Sequence, residues 1–141
     1  RMTSLLNPYI AFRNDARQAM TFYQGVFGGE LSVSTFGDFG ATRDGTDPDG
    51  IMHARLDTPL GFTIMASDVP EHMEFNPGTR ITVSLSGDDA EELRGYFAKL
   101  TEGGAVEVPL QKQAWGDEFG MGSDQFGVSW MVNITEPHQP A

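Results

Sequence analysis

The 141-residue chain contains no cysteine, which excludes disulfides, thiolate nucleophiles and cysteine-based zinc sites together. Any chemistry must therefore rest on His, carboxylates, Tyr and backbone groups. Basic residues are scarce: nine Lys and Arg against twenty Asp and Glu give a net charge of -11. Those nine form no cluster, whereas a phosphate backbone or an anionic membrane requires one, so neither nucleic acid nor membrane is an expected partner. No apolar run approaches the roughly 20 residues that span a bilayer, and the apolar core of a secretory signal is not visible near the start. The expected location is cytoplasmic. Apolar and aromatic residues, at 39% and 11%, suffice for a packed core beneath an acidic surface. The length suits one domain rather than two independent cores of ordinary size.

A weak internal repeat organises the chain. Asp15-Ala16 opens a segment that reaches Phe22-Tyr23 and then Gly28-Gly29; Asp89-Ala90 opens another that reaches Tyr96-Phe97 and then Gly103-Gly104. Ala16, Ala19, Met20, Tyr23 and Phe27 recur at helical spacing, as do Ala90, Leu93, Phe97 and Leu100, so each segment predicts an amphipathic helix with one buried stripe. Asp15 with Gln18 and Asp89 with Glu92 have the spacing of a capping box, and the paired glycines are expected as left-handed C-terminal caps. Strand-like runs precede and follow each helix. They are Tyr9 to Phe12, Leu31 to Thr35, Ile51 to Leu56 and Phe62 to Met65, then Ile81 to Leu85, Ala105 to Leu110, Trp115 to Met121 and Val128 to Ile134. The order βαβββ thus occurs twice. Residues 68–79, with three Pro and Gly and no periodicity, suit a linker between module one, about 5–67, and module two, about 80–135.

Two such modules resemble the vicinal oxygen chelate superfamily of glyoxalases, bleomycin-resistance proteins and dioxygenases over residues 5–135. Tyr9-Ile10-Ala11-Phe12, Phe22 to Gly28, Ile51-Met52-His53-Ala54 and Trp115-Gly116-Asp117 resemble its PhnB-like branch, often labelled 3-demethylubiquinone methyltransferase-like. The resemblance implies an α+β fold in which tandem βαβββ modules form cupped mixed sheets around a cavity, in a homodimer. It also implies a divalent metal held by His, Gln or Glu of the first and last strands. At the matching places stand Asn7 or Pro8, the stretch Thr63 to Met65, Thr82 and Met131, a poor donor set for a hard ion. No metal or other cofactor is expected, a divalent metal being the minor alternative. S-adenosylmethionine commonly binds a Gly-rich turn that opens a helix, whereas both glycine pairs here close one.

Candidate ligand-binding residues are Tyr9, His53, Met65, Trp115, Glu118 and Met131. His53, mid-strand, could act as acid, base or hydrogen-bonding group, or serve as a satisfied strand histidine. Trp115 could form an aromatic wall, or be plain core. Glu118 could supply a charge or pair with His53 in catalysis; the branch often shows Arg there, which points to a neutral or cationic ligand. His72 and His138 read as exposed and without a role. The leading functional expectation is a metal-free cavity protein that binds a small, partly apolar molecule. The alternatives are a lyase, isomerase, dioxygenase or transferase that is metal-dependent or uses His53 and Glu118, and a structural or regulatory dimer without ligand.

Overall fold

The computed structural model describes residues 5–78 and 80–135, and the expectation for His138 lies outside them. The chain divides between Pro77 and Gly78 into two compact units of the same topology. The first runs β1 (Tyr9–Phe12), α1 (Ala16–Phe27), β2 (Glu30–Thr35), β3 (Ile51–Asp57) and β4 (Thr63–Asp68). The second runs β5 (Val83–Gly87), α2 (Ala90–Thr101), β6 (Ala105–Lys112), β7 (Glu118–Ser123) and β8 (Ser129–Ile134). The sheet orders are β1-β4-β3-β2 and β5-β8-β7-β6. In each, the first strand is parallel to the last, and the remaining pairs are antiparallel. This is the expected α+β pair of βαβββ modules.

Each helix buries the stripe its periodicity marks out. In α1, Ala16, Ala19, Met20, Tyr23 and Phe27 are buried, joined by Val26, and pack with Ile51, Ala54, Leu56, Ile64 and Ala66 of the sheet. Burial of Met20 and Tyr23 contributes roughly 1.5–3 kcal/mol apiece. In α2, Leu93 and Phe97 join Val132 and Ile134 in the second core, against which Leu85, Ala90 and Leu110 lie partly buried. Pro109 is tolerated in β6 because that strand is a sheet edge and needs fewer ladder donors.

The helix ends depart from the expected pattern at the start of α1 and at the end of α2, which is capped by Glu102 in an extended conformation ahead of its glycine pair. Asp89 accepts a hydrogen bond from the Glu92 amide at 3.1 Å, as a capping residue should. Asp15 makes no side-chain cap; the Ala16 N–H instead donates to Asp68 Oδ1, 3.0 Å away at the end of β4. A buried carboxylate from a distant strand has taken the place of the local one.

The glycine pairs also divide their work. Gly28 and Gly103 have φ of 76° and 82°, which turn the chain out of each helix. Gly29 and Gly104 sit against a neighbouring strand, where a Cβ would lie 2.1 Å from the Asp57 carbonyl oxygen and 2.0 Å from that of Ser123.

Among the strand boundaries that shift, three have a cause in the pairing or the turns. Ile81 is 84% exposed and β5 starts at Val83, since its alternation with Val83 and Leu85 is not matched by a partner on β8. The strand expected to begin at Trp115 begins at Glu118, because Gln113 to Asp117 close a turn. β4 extends to Asp68, the first residue of the expected linker, since β1 pairs with it as far as Phe12.

Candidate functional site

Alternation along a strand sends successive side chains to opposite faces, and the helix covers only one of them. On the first sheet Ile64 and Ala66 face α1, so Met65 faces away; Tyr9 pairs with Met65 across β1 and β4 and shares its open face. His53, next to the core residue Ala54, shares that face by plain alternation. β2 and β3 pair regularly from Glu30–Asp57 to Ser34–His53, but Thr35 then pairs with Ile51, leaving Met52 as an extra residue. The bulge lets Ile51, three residues before Ala54, also reach the core.

Three of the expected residues therefore meet on one surface. The Tyr9 hydroxyl lies 3.1 Å from His53 Nδ1, and the two rings are 5.7 Å apart. Tyr9 is 52% exposed and His53 half-buried, so the pair is reachable from solvent. Nε2 of His53 engages no hydrogen bond to the described residues and points the pair's chemistry outward. Whether it offers a proton or a lone pair depends on the tautomer, and the Tyr9 hydroxyl can meet either one at Nδ1 by accepting or by donating.

On the second sheet Met131 pairs with Met121 and lies on the face away from α2, with Phe119 and Asn133 beside them. Trp115, 62% exposed, projects from the β6–β7 turn with its ring 6.1 Å from that of Phe119. The turn explains its motif. Gly116 has a φ of 105°, the Gln113 amide donates to the Asp117 carbonyl at 2.8 Å, and Asn133 donates from Nδ2 to Asp117 Oδ2 at 3.1 Å. Gly and Asp of Trp115-Gly116-Asp117 thus shape the hairpin, and Trp115 is what it displays. Phe12 and Trp130, by contrast, are core.

Glu118 is not on this surface. It pairs with Ile134, a core residue, and so faces α2, where Arg94 donates Nε to Oε1 at 3.1 Å and Nη2 to Oε2. The Arg94 bond, aided by Lys112 and opposed by burial, holds the Glu118 carboxyl below the usual range. Its charge is matched within the unit, so the inference of a neutral or cationic ligand from Glu118 loses its basis. The reason is register: one residue along a strand exchanges faces.

Two carboxylates outside the list of candidate ligand-binding residues prove central. Asp68 is buried and accepts the Ala16 and Ile51 amides at 3.0 and 2.9 Å. Asp124, 3% exposed, accepts the Phe126 and Val128 amides on Oδ1 and Trp130 Nε1 on Oδ2, at 2.9, 3.1 and 2.9 Å. The spacing Asp124-Gln125-Phe126-Gly127 was the visible signal for the second. For Asp68 there was none, as its partners lie 52 and 17 residues away.

The donors at the implied metal positions do not fit a hard divalent ion. The Pro8 carbonyl accepts the Met65 amide at 3.0 Å, Thr82 Oγ1 lies 3.0 Å from Ser129 Oγ, and Met131 offers a thioether. Among the described residues no group of three or more His, Asp or Glu could hold a metal ion. Asp15 and Asp89, not glycines, precede α1 and α2, so neither helix start has the Gly-rich turn suited to a nucleotide-type methyl donor. No helix of the described residues is long and apolar enough to cross a membrane.

Comparison with known proteins agrees with this architecture. Residues 4–133 match the family described as 3-demethylubiquinone-9 3-methyltransferase. Protein YjdN of Escherichia coli K12 is 31% identical over 93% of this chain and 95% of its own. The crystal structure of protein PA1353 from Pseudomonas aeruginosa superposes with a TM-score of 0.82 at 35% identity, covering 96% of this chain and all of that one. A Bacillus cereus PhnB protein superposes at 0.71 with 25% identity, covering 94% of this chain and 100% of its own. Glyoxalase/bleomycin resistance/dioxygenase proteins from Burkholderia phytofirmans and Sphaerobacter thermophilus both reach 0.61 at 15% and 19% identity, which shows the shared fold.

Proposed function

The chain belongs to the 3-demethylubiquinone-9 3-methyltransferase family, and from that premise we propose that it binds a small, partly apolar molecule without a metal. The ligand lies on the open face of the first sheet. The observation that carries this reading is the 3.1 Å contact between the Tyr9 hydroxyl and His53 Nδ1. It orients the imidazole, leaves Nε2 for a polar group of the ligand, and sits beside the adaptable thioether of Met65. The second unit's apolar face, with Met131 and the exposed Trp115, is a further surface for flat or apolar groups. Self-association as a homodimer and a cytoplasmic location belong to the same proposal.

A thermal-shift screen against metabolites and planar drugs tests it. A ligand at a hundred times its dissociation constant stabilises by about 2.7 kcal/mol. His53→Ala and Trp115→Ala are expected to diminish the shift, and His72→Ala, on an exposed turn, to leave it unchanged. Equal effects from all three would refute the placement, and a screen without hits would favour a structural or regulatory dimer.

A second reading, acid–base catalysis, is favoured by the same oriented imidazole. His53 would act alone among the earlier catalytic candidates, since Arg94 holds Glu118 on the helix side of its sheet. Turnover whose pH profile disappears in His53→Gln would establish it.

A further inference from the structure

The Tyr9–His53 pair bridges β1 and β3, which are not neighbours; β4 lies between them. Its geometry therefore depends on how both strands are fixed to β4. β1 is fixed by regular pairing from Tyr9–Met65 to Phe12–Asp68. β3 is not: its ladder with β4 runs from Asp57–Thr63 only to Ala54–Ala66, one residue short of His53. Beyond that point the β2 side offers the bulge, where Met52 is unmatched. His53 is thus the last regularly paired residue on the β2 side, opposite Ser34, and lies one residue beyond the β4 ladder.

The next bond that fixes β3 to β4 is made by a side chain. Asp68 Oδ2 accepts the Ile51 amide at 2.9 Å, beyond the last β3–β4 pair. Its other oxygen accepts the Ala16 amide at 3.0 Å, and its backbone pairs with Phe12. One buried carboxylate therefore ties the start of α1, the end of β1 and the start of β3 to β4. The backbone of His53 is held between this bond and the Ala54–Ala66 pair.

We propose that Asp68 is a positioning residue for the Tyr9–His53 pair: by holding Ile51 to β4 beyond the last β3–β4 pair, it sets the reach of His53 to Tyr9. This rests on the reading of that pair as the binding site, but its test needs no ligand. A failed ligand screen and a failed positioning role are thus separate results.

The test is nuclear magnetic resonance of the full chain. In the unmodified protein the Ile51 amide, which faces a carboxylate and not a backbone carbonyl, is expected to exchange at least about tenfold more slowly than an open amide. Exchange at the open rate would overturn the proposal. In Asp68→Asn the side chain keeps its size but has one acceptor oxygen for two amides. The imidazole nitrogen signals of His53 are then expected to move toward those of Tyr9→Phe, in which the pair is broken, while those of His72 stay in place. Asp68→Glu keeps both oxygens and the charge with one added methylene, and is expected to move the His53 signals less than Asp68→Asn does. His53 signals unchanged in a folded Asp68→Asn protein, or moved as far in a folded Asp68→Glu protein as in Tyr9→Phe, would show that Asp68 is a helix cap alone and refute the positioning role.

Discussion

Removing Arg94 should cost more than neutralising its partner Glu118, although the two form one ion pair. The side chains are unequally placed, Arg94 being 55% exposed and Glu118 13%. Glu118→Gln leaves a guanidinium that water already solvates, so the loss is that of a half-exposed pair, roughly 0.5–1 kcal/mol after screening. Arg94→Ala strands a nearly buried carboxylate without its two N–H donors, a loss of about 2 kcal/mol. Urea unfolding of both variants at pH 7 reads the difference. The pH dependence adds a second check. Arg94 depresses the Glu118 carboxyl, so the pair's contribution is fully present above the ordinary Glu range and is lost as pH falls through and below it. In Arg94→Ala only burial acts strongly on that carboxyl, and its penalty shrinks as protonation removes the charge. The gap between the unmodified protein and Arg94→Ala should therefore narrow from pH 7 to pH 4. Equal losses at pH 7, or a gap that widens on acidification, would refute the assignment of Glu118 to the helix side.

Two further outcomes follow from the packing. Gly104→Ala places a methyl 2.0 Å from the Ser123 carbonyl and should destabilise by about 1–3 kcal/mol, whereas Gly25→Ala, a helical site with nothing within 4 Å, should stabilise by roughly 0.5–1 kcal/mol. Opposite signs in thermal unfolding check both. Asp124→Ala leaves the Phe126, Val128 and Trp130 donors without their acceptor and should cost about 3–5 kcal/mol in urea unfolding; a loss under about 1 kcal/mol would mean the β7–β8 turn does not depend on it.

The tandem architecture was legible because its determinants are local. Helical spacing marked the buried stripes of α1 and α2, Asp89 capped its own helix, and the glycine pairs closed both helices, all within a few residues of one another. Such signals repeat in sequence because each module solves the same packing problem separately. Tyr9 and Met65 share one face through regular parallel pairing, with no irregularity between them.

The site needed tertiary structure for a different reason. Which face a strand residue occupies changes with a single step of register, and register is set across strands. The bulge at Met52 brings Ile51 to the core, within reach of Asp68, and pairing with Ile134 turns Glu118 toward α2 and Arg94. Asp68, whose two amide partners are 52 and 17 residues distant, carries no local mark of the bonds it makes. The sequence by itself determined two βαβββ modules and the set of polar residues available. Long-range pairing decided which of them emerge together, because a carboxylate or an imidazole takes its role from the group it faces.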